Sequence, residues 1–173
     1  MNNINQFTIK LLQENDLDFI TSECAKNNWP KPRSLFELYF YQQYRNERLV
    51  WLSFAGDHIT GYCTLKWRSE YNTFRALNIP EVKDLNVFPS YRNQGIASKL
   101  LSIAENEAFK RGNFVGIGVG LSEDYGNAQR LYVQKGYIPD GNGVTYNNLQ
   151  VNYGEKITVD DDLNLWLIKK NNI

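Results

Sequence analysis

The sequence predicts an α/β fold, read as one domain over residues 1–173. Three stretches carry that expectation. Asp84 to Ala104, DLNVFPSYRNQGIASKLLSIA, reads as a strand, a turn rich in backbone donors and a long amphipathic helix. Phe114 to Leu121 reads as a strand with Val115, Ile117, Val119 and Leu121 on one face and Gly116, Gly118 and Gly120 on the other. Arg48 to Arg68 reads as a hairpin turning at Gly56-Asp57. Strands interleaved with amphipathic helices bury their apolar faces by layering the helices on a sheet.

From the N-terminal end, Phe7 to Leu12 makes a first strand. Asn15-Asp16 caps a helix carrying Leu17, Phe19, Ile20 and Cys24, and Trp29-Pro30-Lys31-Pro32 ends it. Ser34 followed by Glu37 reads as a capping box for a second helix, with Leu35, Phe36, Leu38, Tyr39, Phe40, Tyr41 and Tyr44. Arg48–Ala55 and His58–Arg68 are the arms of the hairpin. Trp67 to Pro80, aromatic with charges of both signs, reads as a long loop over a site.

Glu81 begins the central strand, where Leu85 and Val87 alternate with Asp84 and Asn86, and Pro89 stops it. A helix follows from Asn93. Ile96, Ala97, Leu100, Leu101, Ile103, Ala104 and Ala108 form its apolar stripe; Ser98, Lys99, Ser102, Glu105, Asn106 and Lys110 form its wet side. Arg111-Gly112-Asn113 stops it. Glycine weakens a strand, so the glycine face of Phe114–Leu121 needs a reason; room for a ligand is favoured over a packed element. A short helix spans Ala128–Lys135 and ends at Gly136. Pro139-Asp140-Gly141 and Asn152-Tyr153-Gly154 read as turns, Asp160-Asp161-Asp162 as a solvated turn, and Leu163–Lys169 as the last strand.

Composition narrows the function. Lys plus Arg and Asp plus Glu both number 19, a balance that argues against a general nucleic-acid binder. No apolar run has the length of a membrane span, and MNNINQFTIK lacks the hydrophobic centre of a signal peptide. Cys24 and Cys63 stand far apart and His58 is the only histidine, so no zinc site or other metal site is expected. The expectation is a cytoplasmic protein without disulfides, a monomer or homodimer. As a general base, His58 lies at a hairpin turn with no Ser or Cys nucleophile beside it.

The chemistry concentrates in Arg92-Asn93-Gln94-Gly95-Ile96-Ala97. The first turn of a helix has N–H groups without partners inside the helix, at the positive end of its dipole, and phosphate is its usual guest. Gly95 removes a side chain where such a guest approaches the backbone, Ala97 keeps the helix close to its strand, and Arg92 adds a permanent positive charge. There is no GxxxxGK[ST], and Leu121 stands where GxGxxG would need a glycine, so neither a P-loop nor a dinucleotide fingerprint is present.

Arg92, Gly95 and Ala97, following an L-x-V-x-P strand, resemble the acyl-CoA-binding signature of the GNAT N-acetyltransferase superfamily, [QR]-x-x-G-x-[GA]. Asn127, Tyr132, Gly136 and Tyr137 are similar to a second pattern of that family, in the right order after it. The resemblance implies a central, mixed but mostly antiparallel, twisted sheet of about seven strands flanked by about four helices. It implies acetyl-CoA as co-substrate and acetyl transfer to an amine of a small molecule or peptide, by direct attack in a ternary complex. A silent acyl-CoA-binding module, or a transferase of another acyl group, is the alternative.

By the same resemblance, backbone amides of Arg92, Asn93, Gln94, Gly95, Ile96, Ala97 and Ser98 hold the CoA pyrophosphate. The exposed edge at Leu85, Asn86 and Val87 pairs with the pantetheine amides, and an N–H near Val87 faces the thioester carbonyl. Asn127 hydrogen-bonds the cofactor. Tyr132 is the acid for the leaving thiolate and Glu81 the base for the amine, with Asp84 and Glu70 in reserve. Trp29–Tyr44, Trp67–Pro80 and Pro139–Asp162 are left to shape the acceptor pocket, the aromatics of the first either as a wall or as plain core.

Overall fold

The computed structural model describes residues 7–171. In chain order the elements are β1 (Thr8–Leu11), α1 (Leu17–Lys26), α2 (Arg33–Tyr44), β2 (Arg48–Ala55), β3 (His58–Lys66), α3 (Asn72–Ala76), β4 (Glu81–Val87), α4 (Ile96–Phe109), β5 (Phe114–Gly120), α5 (Gly126–Gln134), β6 (Ile138–Tyr146), β7 (Leu149–Gln150) and β8 (Leu163–Lys170). The sheet order is β1-β2-β3-β4-β5-β8-β6-β7. The β1–β2, β2–β3, β5–β8, β8–β6 and β6–β7 pairs are antiparallel, and β4–β5 is parallel. The mixed, mostly antiparallel sheet is as expected, with eight strands among the described residues against the about seven expected.

Contacts gather the chain into two compact units: the described residues up to Lys66 with Lys83–Ala104, and Trp67–Val82 with those from Glu105 onward. In the first, the apolar faces of α1 and α2 close over the hairpin. Leu17, Ile20, Cys24, Phe36, Val50, Leu52, Ile59, Tyr62 and Phe88 are buried in one cluster, each large side chain contributing about 1.5–3 kcal/mol by leaving water. The entry to α1 is a reciprocal cap: the Gln13 N–H donates to Asp16 Oδ2 at 3.0 Å, and a single turn of tight helix (Glu14–Asp16) precedes Leu17. The capping box expected at Ser34 does not form. Pro32 holds the N-cap position, and Glu37 instead pairs with Arg33 one turn back.

The second unit departs further from the sequence reading. Trp67–Pro80 is no open loop: it contains α3, whose Phe74 is fully buried with Tyr71, Ile79 and Trp166. The Tyr71 and Trp166 rings stack at 4.4 Å with 2° between planes, and Phe74 meets Trp166 edge-on at 5.3 Å. These rings explain the glycines of β5. A Cβ on Gly116 would lie 2.1 Å from Phe74 Cε2, one on Gly118 3.0 Å from Trp166, and one on Gly120 2.4 Å from Tyr125. The glycine face is therefore filled by aromatic side chains and leaves no room for a ligand.

Two smaller corrections both involve β8. Pro139-Asp140-Gly141 lies inside β6, where Gly141 and Gly143 take φ of +88° and +74° and the register against β8 slips between Pro139 and Val144. Turn residues here make a bulge and not a chain reversal. Glu105, expected on the wet side of its helix, is buried and accepts a 2.7 Å hydrogen bond from Lys169 of β8.

Candidate active site

In the first unit the candidate residues lie on the second half of β4 and in the turn after it. Pairing with β5 is confined to Glu81 and Val82 among the described residues. Past that point Lys83 to Val87 are half-buried. Within this stretch Asp84 adopts φ +52°, a conformation uncommon for residues with a side chain. Its neighbours hold it there. Thr64 Oγ1 donates to the Lys83 carbonyl at 3.1 Å and accepts from Arg48 Nη1 at 2.6 Å. Tyr39 of α2 donates its hydroxyl to Asp84 Oδ2 at 2.5 Å, and the Arg48 guanidinium lies 4.2 Å over the Tyr39 ring. Tyr62, beside them, is held protonated well above the usual phenol range, first by burial and then by the charge of Asp84. Gly61 lets β3 lie against β4: a Cβ there would stand 2.4 Å from the Asn86 carbonyl oxygen.

The turn after β4 is shaped by backbone dihedrals. Pro89–Tyr91 forms a tight helical turn, and Asn93 and Gly95 then take φ of +60° and +81°. Those left-handed residues stop the helix from starting at Asn93, and α4 begins at Ile96. Its first internal bond runs from the Lys99 N–H to the Gly95 carbonyl at 3.1 Å. The N–H groups of Ile96, Ala97 and Ser98 thus precede any helical partner. Backbone near a left-handed residue also turns successive N–H groups toward one point, the geometry of an anion nest. No atom lies within 4 Å of a Cβ placed on Gly95. Arg92, Asn93, Gln94 and Gly95 are exposed, Ile96 is buried, and Ala97 and Ser98 are half-buried.

The second unit holds the remaining named residues. Glu81 is 3% exposed and accepts a 2.6 Å hydrogen bond from Ser69 Oγ, which itself accepts from the Tyr71 N–H at 3.0 Å. Asn127 is exposed in the first turn of α5, and Tyr132 is buried one turn further on. α5 ends in a glycine cap: Gly136 has φ +87°, with bonds from the Gly136 N–H to the Val133 carbonyl and from the Tyr137 N–H to the Tyr132 carbonyl, both 3.0 Å. Gln129 ties the same helix to the end of β5 through the Gly120 carbonyl at 2.9 Å. Asp161 and Asp160 accept from the hydroxyls of Tyr125 and Tyr146. His58 and Glu70 are exposed. Among the described residues no three of His, Cys, Asp and Glu gather as a metal site, and Cys24 is buried, its thiol pushed up to about 11 by burial.

Residues 14–137 match the model of the acetyltransferase (GNAT) family. The chain belongs to that family. GNAT enzymes use acetyl-CoA as co-substrate, and this GNAT chain is an acetyltransferase by membership. No curated protein matches its sequence. Solved structures share the GNAT fold at low identity. A Salmonella typhimurium protein, yncA, solved with its cofactor acetyl-CoA, is 18% identical, with 96% of this chain and 94% of that one aligned at a TM-score of 0.68. A Salmonella typhimurium acetyltransferase that modifies the N-terminal serine of a protein of the large ribosomal subunit is 12% identical, over 97% and 96%, with a TM-score of 0.71. A chimera of the Vibrio cholerae spermidine N-acetyltransferase SpeG with hSSAT is 18% identical, over 96% of each, with a TM-score of 0.65. No described helix is long and apolar enough to cross a membrane.

Sequence reasoning missed three partnerships: Ser69 with Glu81, Tyr39 with Asp84, and Trp29 with Arg92, whose guanidinium lies 5.4 Å over the Trp29 ring. None has a periodic signature. Tyr39 and Asp84 are 45 positions apart.

Proposed function

We propose that the chain transfers the acetyl group of acetyl-CoA to an amine of a small molecule or peptide. The observation that carries this reading is the turn at Arg92–Ser98, where two left-handed residues and a helix start present unpaired N–H groups beside an arginine. Those amides and Arg92 hold the pyrophosphate. The half-buried β4 edge at Leu85, Asn86 and Val87 hydrogen-bonds the pantetheine amides, and Asn127 hydrogen-bonds the cofactor near the departing sulfur. The amine nitrogen attacks the thioester carbonyl carbon, the oxygen gathers charge opposite a β4 N–H, and the C–S bond breaks as the C–N bond forms. Glu81 takes the proton the amine loses, directly or through water, and the Tyr132 hydroxyl supplies a proton to the departing sulfur. The whole chain acts as one catalytic domain, monomeric or homodimeric, in the cytoplasm.

Glu81 has a second reading. Its bond from Ser69 anchors the segment that leads to Tyr71 and α3. Glu81→Gln separates the two, since a carboxamide oxygen still accepts from Ser69 but the side chain no longer accepts a proton. A base predicts a fall in kcat with an unchanged melting temperature; an anchor alone predicts that both stay unchanged.

Isothermal titration with acetyl-CoA tests the cofactor site, with desulfo-CoA and ATP as controls. Micromolar binding of acetyl-CoA and of desulfo-CoA, with ATP much weaker, supports it. Absence of binding reduces the Arg92–Ala97 turn to an ordinary helix start. Release of free thiol in a panel of polyamines, amino acids and short peptides then identifies the acceptor.

A further inference from the structure

Arg92 is the only permanent charge in the turn from Pro89 to Ser98, and the first unit fixes it in an unusual way. Its Nε donates to the Val87 carbonyl at 3.2 Å, the last residue of β4. Its guanidinium carbon stands 5.4 Å from the centroid of the Trp29 ring. Among the described residues no partner falls on its two terminal nitrogens. One nitrogen is therefore anchored, one face is covered, and the outer fork is left available. A planar guanidinium held in this way is preorganised for bidentate contact with a phosphate, whereas an exposed arginine side chain normally loses rotamer freedom on binding.

Trp29 is itself held by local geometry. Asn28, the second residue after α1, takes φ +58°, and the Trp29 N–H donates to the Cys24 carbonyl at 2.9 Å, closing a Schellman-type end. The indole packs against the buried Phe88 at 6.5 Å and remains 37% exposed. The end of α1 thus delivers an aromatic face to the turn that follows β4, 63 positions later in the chain by residue number.

We infer that Trp29 is a positioning residue for cofactor binding: its indole face orients the Arg92 fork toward the anionic part of the cofactor, and its emission reports occupancy of that turn. This rests on the reading that Arg92 binds the CoA pyrophosphate. Trp29 touches Arg92 and not the reacting atoms, so it acts on capture of acetyl-CoA and not on the acetyl transfer. An exposed cation–π contact is worth a factor of about two to five in affinity. The other tryptophans are Trp51 and Trp166, both buried, and Trp67, half-buried, so Trp29 is the indole that an aqueous quencher reaches most readily.

The test is a mutant cycle on the full chain with acetyl-CoA as ligand. Trp29→Ala is expected to weaken acetyl-CoA about two- to fivefold, with kcat at saturation unchanged and Trp29→Phe restoring most of the affinity. In an Arg92→Ala background the same Trp29→Ala change is expected to have no further effect, because there is no fork left to orient. Iodide quenching of the wild type should fall when acetyl-CoA binds, and Trp29→Phe should lose that response. Equal weakening by Trp29→Ala with and without Arg92 overturns the inference and makes Trp29 a packing residue; so does an iodide response that survives in Trp29→Phe. Where Trp29→Ala fails to fold, Trp29→Phe and Trp29→Leu, which keep bulk over Phe88, carry the same comparison. Failure of the underlying reading looks different: acetyl-CoA binds wild type and Arg92→Ala alike, or does not bind.

Discussion

Gly61→Ala is the sharpest probe of how the fold supports the cofactor edge. The added methyl would stand 2.4 Å from the Asn86 carbonyl oxygen, 3.1 Å from Val87 Cα and 3.3 Å from the Asn86 carbonyl carbon. All are backbone atoms, so no rotamer change relieves the clash, and β4 has to move at the residues proposed to pair with pantetheine. Overpacking a tight site costs about 1–3 kcal/mol. Removing a glycine from the unfolded chain returns about 0.4–1 kcal/mol. The net loss of about 1–2 kcal/mol corresponds to about 2–8 °C in melting temperature for a chain of this size. Gly112→Ala is the control, since no atom lies within 4 Å of its added methyl and its φ is not left-handed. Differential scanning fluorimetry with acetyl-CoA titration should show Gly61→Ala melting lower and binding more weakly, and Gly112→Ala unchanged or slightly more stable. A Gly61→Ala protein that melts and binds like wild type would refute the close packing of β3 on β4.

Other outcomes follow from the same residues. Tyr132→Phe should lower kcat by roughly 10²- to 10⁴-fold, as loss of a general acid does, with acetyl-CoA affinity kept; unchanged turnover by a free-thiol assay would remove Tyr132 from that role. Gly95→Glu should abolish acetyl-CoA binding, by putting a negative side chain at a φ of +81° in the proposed anion turn, and titration showing normal affinity would contradict it. Burial pushes the Cys24 thiol from 9.0 to about 11, and Cys63 and Tyr62 also upward. The native state then keeps a proton that the unfolded thiol releases, so this contribution is complete below pH 9.0 and disappears as pH rises to about 11. Urea midpoints across that window should fall less steeply for Cys24→Ala than for wild type; identical slopes would show that this thiol does not contribute.

Much of the architecture was legible because its signals are local. The hairpin needed only two strand-like runs, Arg48–Ala55 and His58–Arg68, around the Gly56-Asp57 turn, which the structure keeps with Gly56 at φ +58°. The stripe of α4 follows from helical spacing, and Ile96, Leu100, Leu101, Ala104 and Ala108 are all buried. β6 was unreadable for a physical reason. Its Pro, Asp and Gly residues are turn formers, and only antiparallel pairing with β8 holds them as a bulged strand. The site divided in the same way. Arg92 and Gly95 stood out in the sequence as features of a proposed anion turn, while the partners of Glu81 and Asp84 left no trace in spacing.

By itself the sequence determined the hairpin, the central strand and the long helix after it, because each depends on dihedral preferences and periodicity within a few consecutive residues, and two short motifs carried the resemblance to the family. Only the tertiary structure decided what occupies the glycine face of β5, where Phe74, Trp166 and Tyr125 fill the space that a ligand was expected to take. It also decided that Glu105 would find Lys169, 64 positions away, instead of water. Such contacts join residues remote in the chain, and their identity is settled by which faces the folded sheet and helices bring together, a choice that no local run of residues encodes.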